Sequence, residues 1–367
     1  MKARGTRVLP GILGRWARPL AGPLAAIGLA LAAGAILVAV LGQDPVTVYT
    51  TLFDAIFGSA YGFGQVLFKA TTLIGTGLAV AVAFRAGLFN IGAEGQMYLA
   101  GLASAAFALA LGDGCPALVA VPLVLLAGAL AGALVALLPA LLRAFLGVHE
   151  VINTIMLNFV AFALGSWILV EKLALFESVH TAEIPAAARL PRLETMLPAF
   201  RGAPLNLALL LQLLLCALCA LALWRTRWGY EVRAVGLSES AARSAGIPVR
   251  RRLVEAMALS GALAGTAAAN FVQGYKYYFE EGFTAEAGFK GIAVALLGST
   301  HPAGIVPAAL FFGALDRGGF VINGLVPKEF VDILQALVIL LVIVLARPGD
   351  VAAQVRRLAL RRREEVS

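Results

Sequence analysis

Arg85-Ala-Gly-Leu-Phe-Asn-Ile-Gly-Ala-Glu-Gly-Gln96 stands between two apolar runs, residues 65–84 and 93–111, and leaves no room for an ordinary loop. Each run approaches the about 20 apolar residues that a helix needs to cross roughly 30 Å of hydrocarbon. A carboxylate at mid-bilayer costs at least about 2.5–3.5 kcal/mol, so Glu94 needs a partner, an aqueous cavity or the interface. On one continuous helix Arg85 and Glu94 would stand roughly 13 Å apart along the axis. They meet only if the chain breaks, and Gly87, Asn90 and Gly92 supply the means. Asn90 is the expected N-cap of the next helix, with Glu94 in its first turn, where the dipole favours negative charge. Lipid-exposed backbone cannot be irregular, so a Gly-interrupted helix is buried in protein or lines a cavity. Two readings stay open. The break lines a solute path, with Asn90, Glu94 and Gln96 as polar contacts, or it is a tight turn whose charges reach toward headgroups.

The remainder of the chain has the same character. Of 367 residues, 60% are apolar and 14% charged, with mean hydropathy +0.89, against about 45–50% and about 25% in soluble domains. A soluble protein of this composition would expose apolar patches that monomers do not tolerate, and disorder needs the opposite balance. The expected fold is therefore all-α, a polytopic integral membrane protein. Apolar spans fall at 19–43, 65–84, 93–111, 117–142, 151–170, 205–224, 256–275 and 330–346, with two shorter pieces at 291–297 and 305–315. Lys2, Arg4, Arg7, Arg15 and Arg18 precede the first span, seven arginines crowd residues 225–252, and more follow Arg347. The positive-inside rule then places both termini in the cytoplasm and asks for about ten transmembrane helices, two segments being interrupted. This divides the chain into a basic N-terminus (1–18), a membrane domain (19–346) containing a cytoplasmic loop (225–255), and a basic tail (347–367). The net charge of +8 sits in these topology-setting clusters, so no nucleic-acid partner is expected. The segment 43–64, which has Asp44 and Asp54 but no Lys or Arg, reads as an outer loop.

A second interruption, Gly298-Ser-Thr-His-Pro-Ala-Gly304, follows Gly291-Ile-Ala-Val-Ala-Leu296, much as the first follows Gly77-Leu-Ala-Val-Ala-Val82. Paired interruptions of this kind point to duplicated halves and a transport path. In the span after Glu150, Asn153 and Asn158 stand roughly 140° apart around a helix. Each is either an interhelical hydrogen-bonding residue or a pathway contact. Cys216 and Cys219 lie in an uncharged helix and read as packing residues rather than a redox pair. His149, His180 and His301 are scattered, without metal-ligand spacing. There is no GxxxxGK[ST], HExxH or GxSxG motif. No catalytic residue, metal or cofactor is expected.

Gly87-Leu-Phe-Asn-Ile-Gly-Ala-Glu-Gly-Gln96 resembles the hallmark stretch of ABC-importer permeases of the branched-chain amino acid, ribose and nucleoside superfamily, and is most similar to the general nucleoside permease subgroup. Glu150-Val-Ile-Asn-Thr-Ile-Met-Leu-Asn158, Gly291-Ile-Ala-Val-Ala-Leu-Leu-Gly298 and Gln335 fit as well, and the likeness runs from about residue 67 to 346. Arg233-Ala-Val-Gly236 followed by Ala241-Ala-Arg-Ser-Ala-Gly-Ile247 is similar to the family's coupling segment, RAxGxNxxAAxxAGI, with Ser238 where Asn is usual. Ser238 still suits the N-cap of a short helix that Gly246 and Pro248 end.

The resemblance implies an ATPase-coupling element carried by Arg233, Ala234, Gly236, Ala241, Ala242 and Gly246. It also implies a bacterial inner-membrane permease for nucleosides that works with a second, non-identical permease, ATP-binding subunits and an extracytoplasmic substrate-binding protein. A nucleoside asks for aromatic faces and amides, and Phe89, Asn90 and Phe159 offer them. The alternatives are a permease for a sugar or another small polar solute, or an ion-coupled secondary transporter with Glu94 as its ion carrier.

Overall fold

A computed structural model describes residues 12–327 and 329–345; the basic residues before 12, Lys328, Ala346 and the tail 347–367 lie outside the described residues. The described chain is helical, with only isolated bridges in its loops. In order it forms α1 (Ile12–Val40), α2 (Pro45–Phe57), α3 (Ala60–Arg85), α4 (Ala93–Leu111), α5 (Ala117–Leu146) and α6 (Glu150–Ile168). Then come α7 (Ala208–Arg225), α8 (Arg227–Leu237), α9 (Glu239–Ser244), α10 (Val249–Ala267), α11 (Ala269–Val272), α12 (Ala287–Leu297), α13 (Pro302–Ile322) and α14 (Glu329–Leu345). Five described helices are long and apolar enough to cross a membrane: α3, α5, α6 with its continuation to Leu173, α7 and α13.

Two expectations need correction. Residues 43–64 are not a plain loop but carry α2, begun by Asp44, whose carboxylate accepts the Val46 and Thr47 N–H groups. The short piece at 305–315 extends to a 21-residue helix. Asp316, which ends the apolar run, is neutralised within the protein by Lys290 at 2.8 Å, so the helix continues through it.

The chain divides into two compact units, residues 1–50 with 322–367, and residues 51–321. In the first, α1 packs on α14 at Gly34, where an added Cβ would meet Leu334 and the Tyr49 hydroxyl. That hydroxyl donates to the Leu31 carbonyl at 2.6 Å.

In the second unit α3 is the central helix, nearly all of it buried against α10, α12 and α7. Burial here follows residue size rather than polarity. On α5 the large side chains Leu118, Leu126, Leu130, Leu134 and Leu138 are exposed, while Gly128, Gly132 and Ala136 are buried. That is the arrangement for a helix whose solvent is lipid and whose contacts are van der Waals. The α5–α10 junction is its clearest case: Gly128 faces Gly265 and Gly132 faces Gly261, each at the other's carbonyl. Gly132→Leu is expected to cost at least about 1–3 kcal/mol from overpacking and to lower Tm in detergent. Gly114→Ala, which would meet nothing within 4 Å, should leave Tm unchanged in the same assay.

Candidate functional site

The two similar runs lie side by side in α3 and α12, with Gly291 against Thr76 and Val294 against Gly77. Both therefore point the same way, and the interruptions that follow them meet. Arg85 closes α3 and donates from Nε to the Thr300 carbonyl (3.0 Å) and from Nη2 to that of Ser299 (3.2 Å). Ser299 and Thr300 have φ of 54° and 52°, a left-handed conformation that side chains other than Gly rarely adopt, and the guanidinium holds their carbonyls. The same guanidinium lies over the Trp224 ring, 5.0 Å from its centroid, and His301 packs on that ring at 4.4 Å.

Beyond Arg85 the chain does not leave the protein. Gly87, at φ +77°, turns it back so that Asn90 reaches Ser260, whose hydroxyl donates to the Ala79 carbonyl at 2.6 Å. Ala79 precedes Arg85 by six residues, about 9 Å along α3. The segment between α3 and α4 is thus re-entrant. Asn90 and Gln96 bond each other twice, Nδ2 to Oε1 at 2.8 Å and Nε2 to Oδ1 at 3.0 Å. Asn158 clamps the same segment from α6, accepting from Gly95 N at 2.9 Å and donating to the Ile91 carbonyl at 3.0 Å. The N-cap of α4 is Gly92 rather than Asn90, whose Oδ1 instead accepts the Gly92 N–H.

Glu94 stands in the first turn of α4, but its carboxylate serves another helix. It accepts from Gly288 N at 2.5 Å and Glu286 N at 3.2 Å at the start of α12, and from the Thr284 hydroxyl. An anion on orphan N–H groups at a helix N-terminus is favourable on both hydrogen-bond and dipole grounds. Asn90, Glu94, Gln96 and Asn158 are at most 3% exposed. Each is buried with partners of its own, Asn90 and Gln96 on each other, Asn158 on the backbone of Ile91 and Gly95, and Glu94 on the start of α12, which is how polar groups become tolerable in an interior. Phe89 packs edge-on to Phe84 at 4.6 Å. Asn153 stays apart from these four, with Nδ2 3.4 Å from the Pro139 carbonyl. Phe159 is 63% exposed and points away from them.

The arginine-rich hairpin is built on caps. Thr226 accepts Gly229 N to begin α8, and Ser238 accepts Ala241 N at 3.3 Å to begin α9, the role expected of it. Gly246, at φ +79°, ends α9. Buried Glu231 takes Arg227 Nε at 2.8 Å and Arg252 Nε at 2.7 Å, so that the hydrogen bond from Arg227, then that from Arg252, holds its carboxyl below the usual range. Glu255 adds Trp228, Arg251 and Arg252, and Arg143 joins Glu239 to Glu150. These pairs fix the hairpin to α10, α5 and α6. Arg233 leans over Trp224, Ala234 is half-buried and Ala242 is buried, whereas Leu237, Ala241, Arg243 and Gly246 face outward. Gly236 touches the re-entrant segment itself: an added Cβ would collide with the Arg85 carbonyl and come within 2.9 Å of Gly87 N. The hairpin and the broken helix meet backbone to backbone.

Near the start of α3, away from the hairpin, lies a cavity of about 320 Å³ lined by Phe68, Thr72, Phe271, Tyr275, Phe283 and Thr284 among others. Sequence reading missed it. The available signal was the spacing: Phe68 with Thr72 and Phe271 with Tyr275 are each four residues apart, the interval that places a pair on one face wherever the chain is helical.

Residues 62–343 match the family described as "Branched-chain amino acid transport system / permease component". The chain belongs to this family. The permease is 40% identical over 325 residues to the guanosine ABC transporter permease protein NupP of Bacillus subtilis, covering 87% of this chain and 92% of that relative. It is 36% identical to the nucleoside ABC transporter permease protein NupB of Lactococcus lactis, covering 88% and 90%. It is also 36% identical to the glucose ABC transporter permease protein TsgB13 of Haloferax volcanii, covering 88% and 86%. No solved structure matches. The permease is an all-helical integral membrane protein and a transport subunit.

Proposed function

We propose that this permease is one of two membrane subunits of an ATP-driven importer that carries nucleosides across the bacterial inner membrane. In this reading ten crossings leave both termini in the cytoplasm, with the arginines of the hairpin on the same side. The partners are a second, non-identical permease, ATP-hydrolysing subunits on the cytoplasmic face and an extracytoplasmic binding protein. The observation that carries it is the backbone contact of Gly236 with residues 85–87. An element presenting Leu237, Ala241, Arg243 and Gly246 outward is joined without intervening side chains to the break that follows α3. Force applied to the hairpin by a closing ATPase therefore reaches the re-entrant segment directly. Asn90, Glu94, Gln96 and Asn158 act in this mechanism by holding the break together, and Phe89 by packing on Phe84 where α3 ends.

Relatives named for guanosine and for nucleosides support the substrate class. The glucose relative, at similar identity, keeps a sugar as the second reading. The deciding experiment is uptake by the complete complex, reconstituted in proteoliposomes with its binding protein. Labelled guanosine should accumulate only with ATP, and a hundredfold excess of glucose should not compete. Uptake driven by a proton or sodium gradient without nucleotide, or accumulation of glucose in place of guanosine, would overturn the proposal.

A further inference from the structure

We propose that the cavity beside α3 is a binding site for the intact, uncharged nucleoside, seated by its base on a wall of rings, and that the site rejects the phosphorylated form. This deepens the nucleoside reading above and rests on it. The wall is continuous. Phe68 meets Tyr275 at 5.1 Å, Tyr275 meets Phe271 at 5.7 Å, and Phe271 meets Phe283 at 5.2 Å between centroids. Phe68 and Phe283 are buried, whereas Phe271 and Tyr275 are half-buried and turn ring surface to the cavity. Edges and faces in this alternation suit a flat heteroaromatic guest. Base stacking on such rings is strong and tolerant of which base is bound. The volume of about 320 Å³ is at the small end for ligand sites and admits one compact molecule.

Charge decides between nucleoside and nucleotide. Lys69, Lys276 and Lys290 line the cavity together with Glu280, Glu281 and Asp316, three of each sign, so no net field draws a phosphate. Lys290 is held by Asp316 at 2.8 Å and Lys276 lies 3.6 Å from Glu280. A phosphate entering here would have to break these pairs and face the Glu281 carboxylate. A ribose instead brings hydroxyl donors to that carboxylate, which only accepts. Thr72 receives an N–H from Asn270 at 2.9 Å, which leaves its own O–H as a donor. The wall is also tied to the break, because Thr284 lines the cavity and bonds Glu94.

Two measurements test this. In a chain with Cys115, Cys216 and Cys219 changed to Ala, Thr72→Cys is reacted with a methanethiosulfonate reagent in the complex without its binding protein. Guanosine should slow the reaction, and neither guanosine 5′-monophosphate nor ribose should. Separately, Tyr275→Leu should raise the KM of guanosine uptake by about tenfold, within the range that a base loses with its aromatic partner. Equal protection by the monophosphate, protection by ribose alone, no protection by guanosine, or a KM within twofold of the parent would overturn the assignment. These failures are distinct from failure of the importer reading, in which the parent complex accumulates no guanosine with ATP.

Discussion

Gly236→Val is expected to lower uptake severely while the permease still inserts and assembles. At this position there is no side chain to displace. The new Cβ would run into the carbonyl of Arg85, lie 2.9 Å from Gly87 N and 3.0 Å from the Ala86 carbonyl carbon, all of them backbone. Gly87 cannot swing aside cheaply, because its φ of +77° makes the turn that sends the chain back into the protein. The hairpin itself is held elsewhere, by Glu231, Glu239 and Glu255, so it should remain folded but stand off from the break. An overpacking cost of about 1–3 kcal/mol corresponds to roughly 5–150-fold in the population of the joined state. The signature is loss of ATP-driven uptake and of substrate-stimulated ATP turnover, with a normal yield of assembled complex. Stimulated turnover equal to the parent's would remove the hairpin from the coupling role.

Glu94→Gln should impair the permease nearly as much, and by the same factor at every pH. The carboxylate accepts from Gly288 N, Glu286 N and the Thr284 hydroxyl. A carboxamide of the same size keeps one acceptor oxygen and turns an NH2 toward groups that are themselves donors. At least one N–H of the first turn of α12 is then buried without a partner, at about 1–3 kcal/mol, and the favourable charge at that helix end is lost. Uptake should fall by at least about tenfold and Tm should drop, with Glu94→Asp intermediate because it keeps the charge on a shorter stem. The pH profile separates this from ion carriage. A proton-carrying Glu94 would give a variant whose residual uptake has lost the parent's pH dependence, and that result would favour the secondary-transporter alternative.

What was legible in the sequence was local. Gly87, Asn90 and Gly92 announced a break, and a break is there. Ser238, three residues before Ala241, announced a cap, and the cap formed. Glu94's place in a first turn was also readable, but not whose N–H groups it would hold, since Gly288 is 194 residues away and no spacing rule reaches that far. Asn90 was assigned the commonest local role for its type. It lost that role because its Oδ1 is taken by the Gly92 N–H and by Gln96 Nε2. Phe159 and Asn158 are adjacent in sequence and about 100° apart on α6, which is enough to put one outside and the other in the interior. The polar segment 276–290 gave no sign that it walls a cavity, because its counterpart, Phe68 and Thr72, belongs to a different helix.

The glycine junction between α5 and α10 has a mechanical consequence. Helices that touch main chain to main chain at two glycine pairs have few side-chain torsions between them to absorb a sliding motion, so the pair resists shear and favours tilting as one stiff rod. The α10 member is about 28 Å long. Near one end it grips Glu231 through Arg252, and its other end runs into the short turn that carries Phe271 and Tyr275. A tug at the arginine end and a rearrangement at the aromatic end would then be one movement seen from two sides.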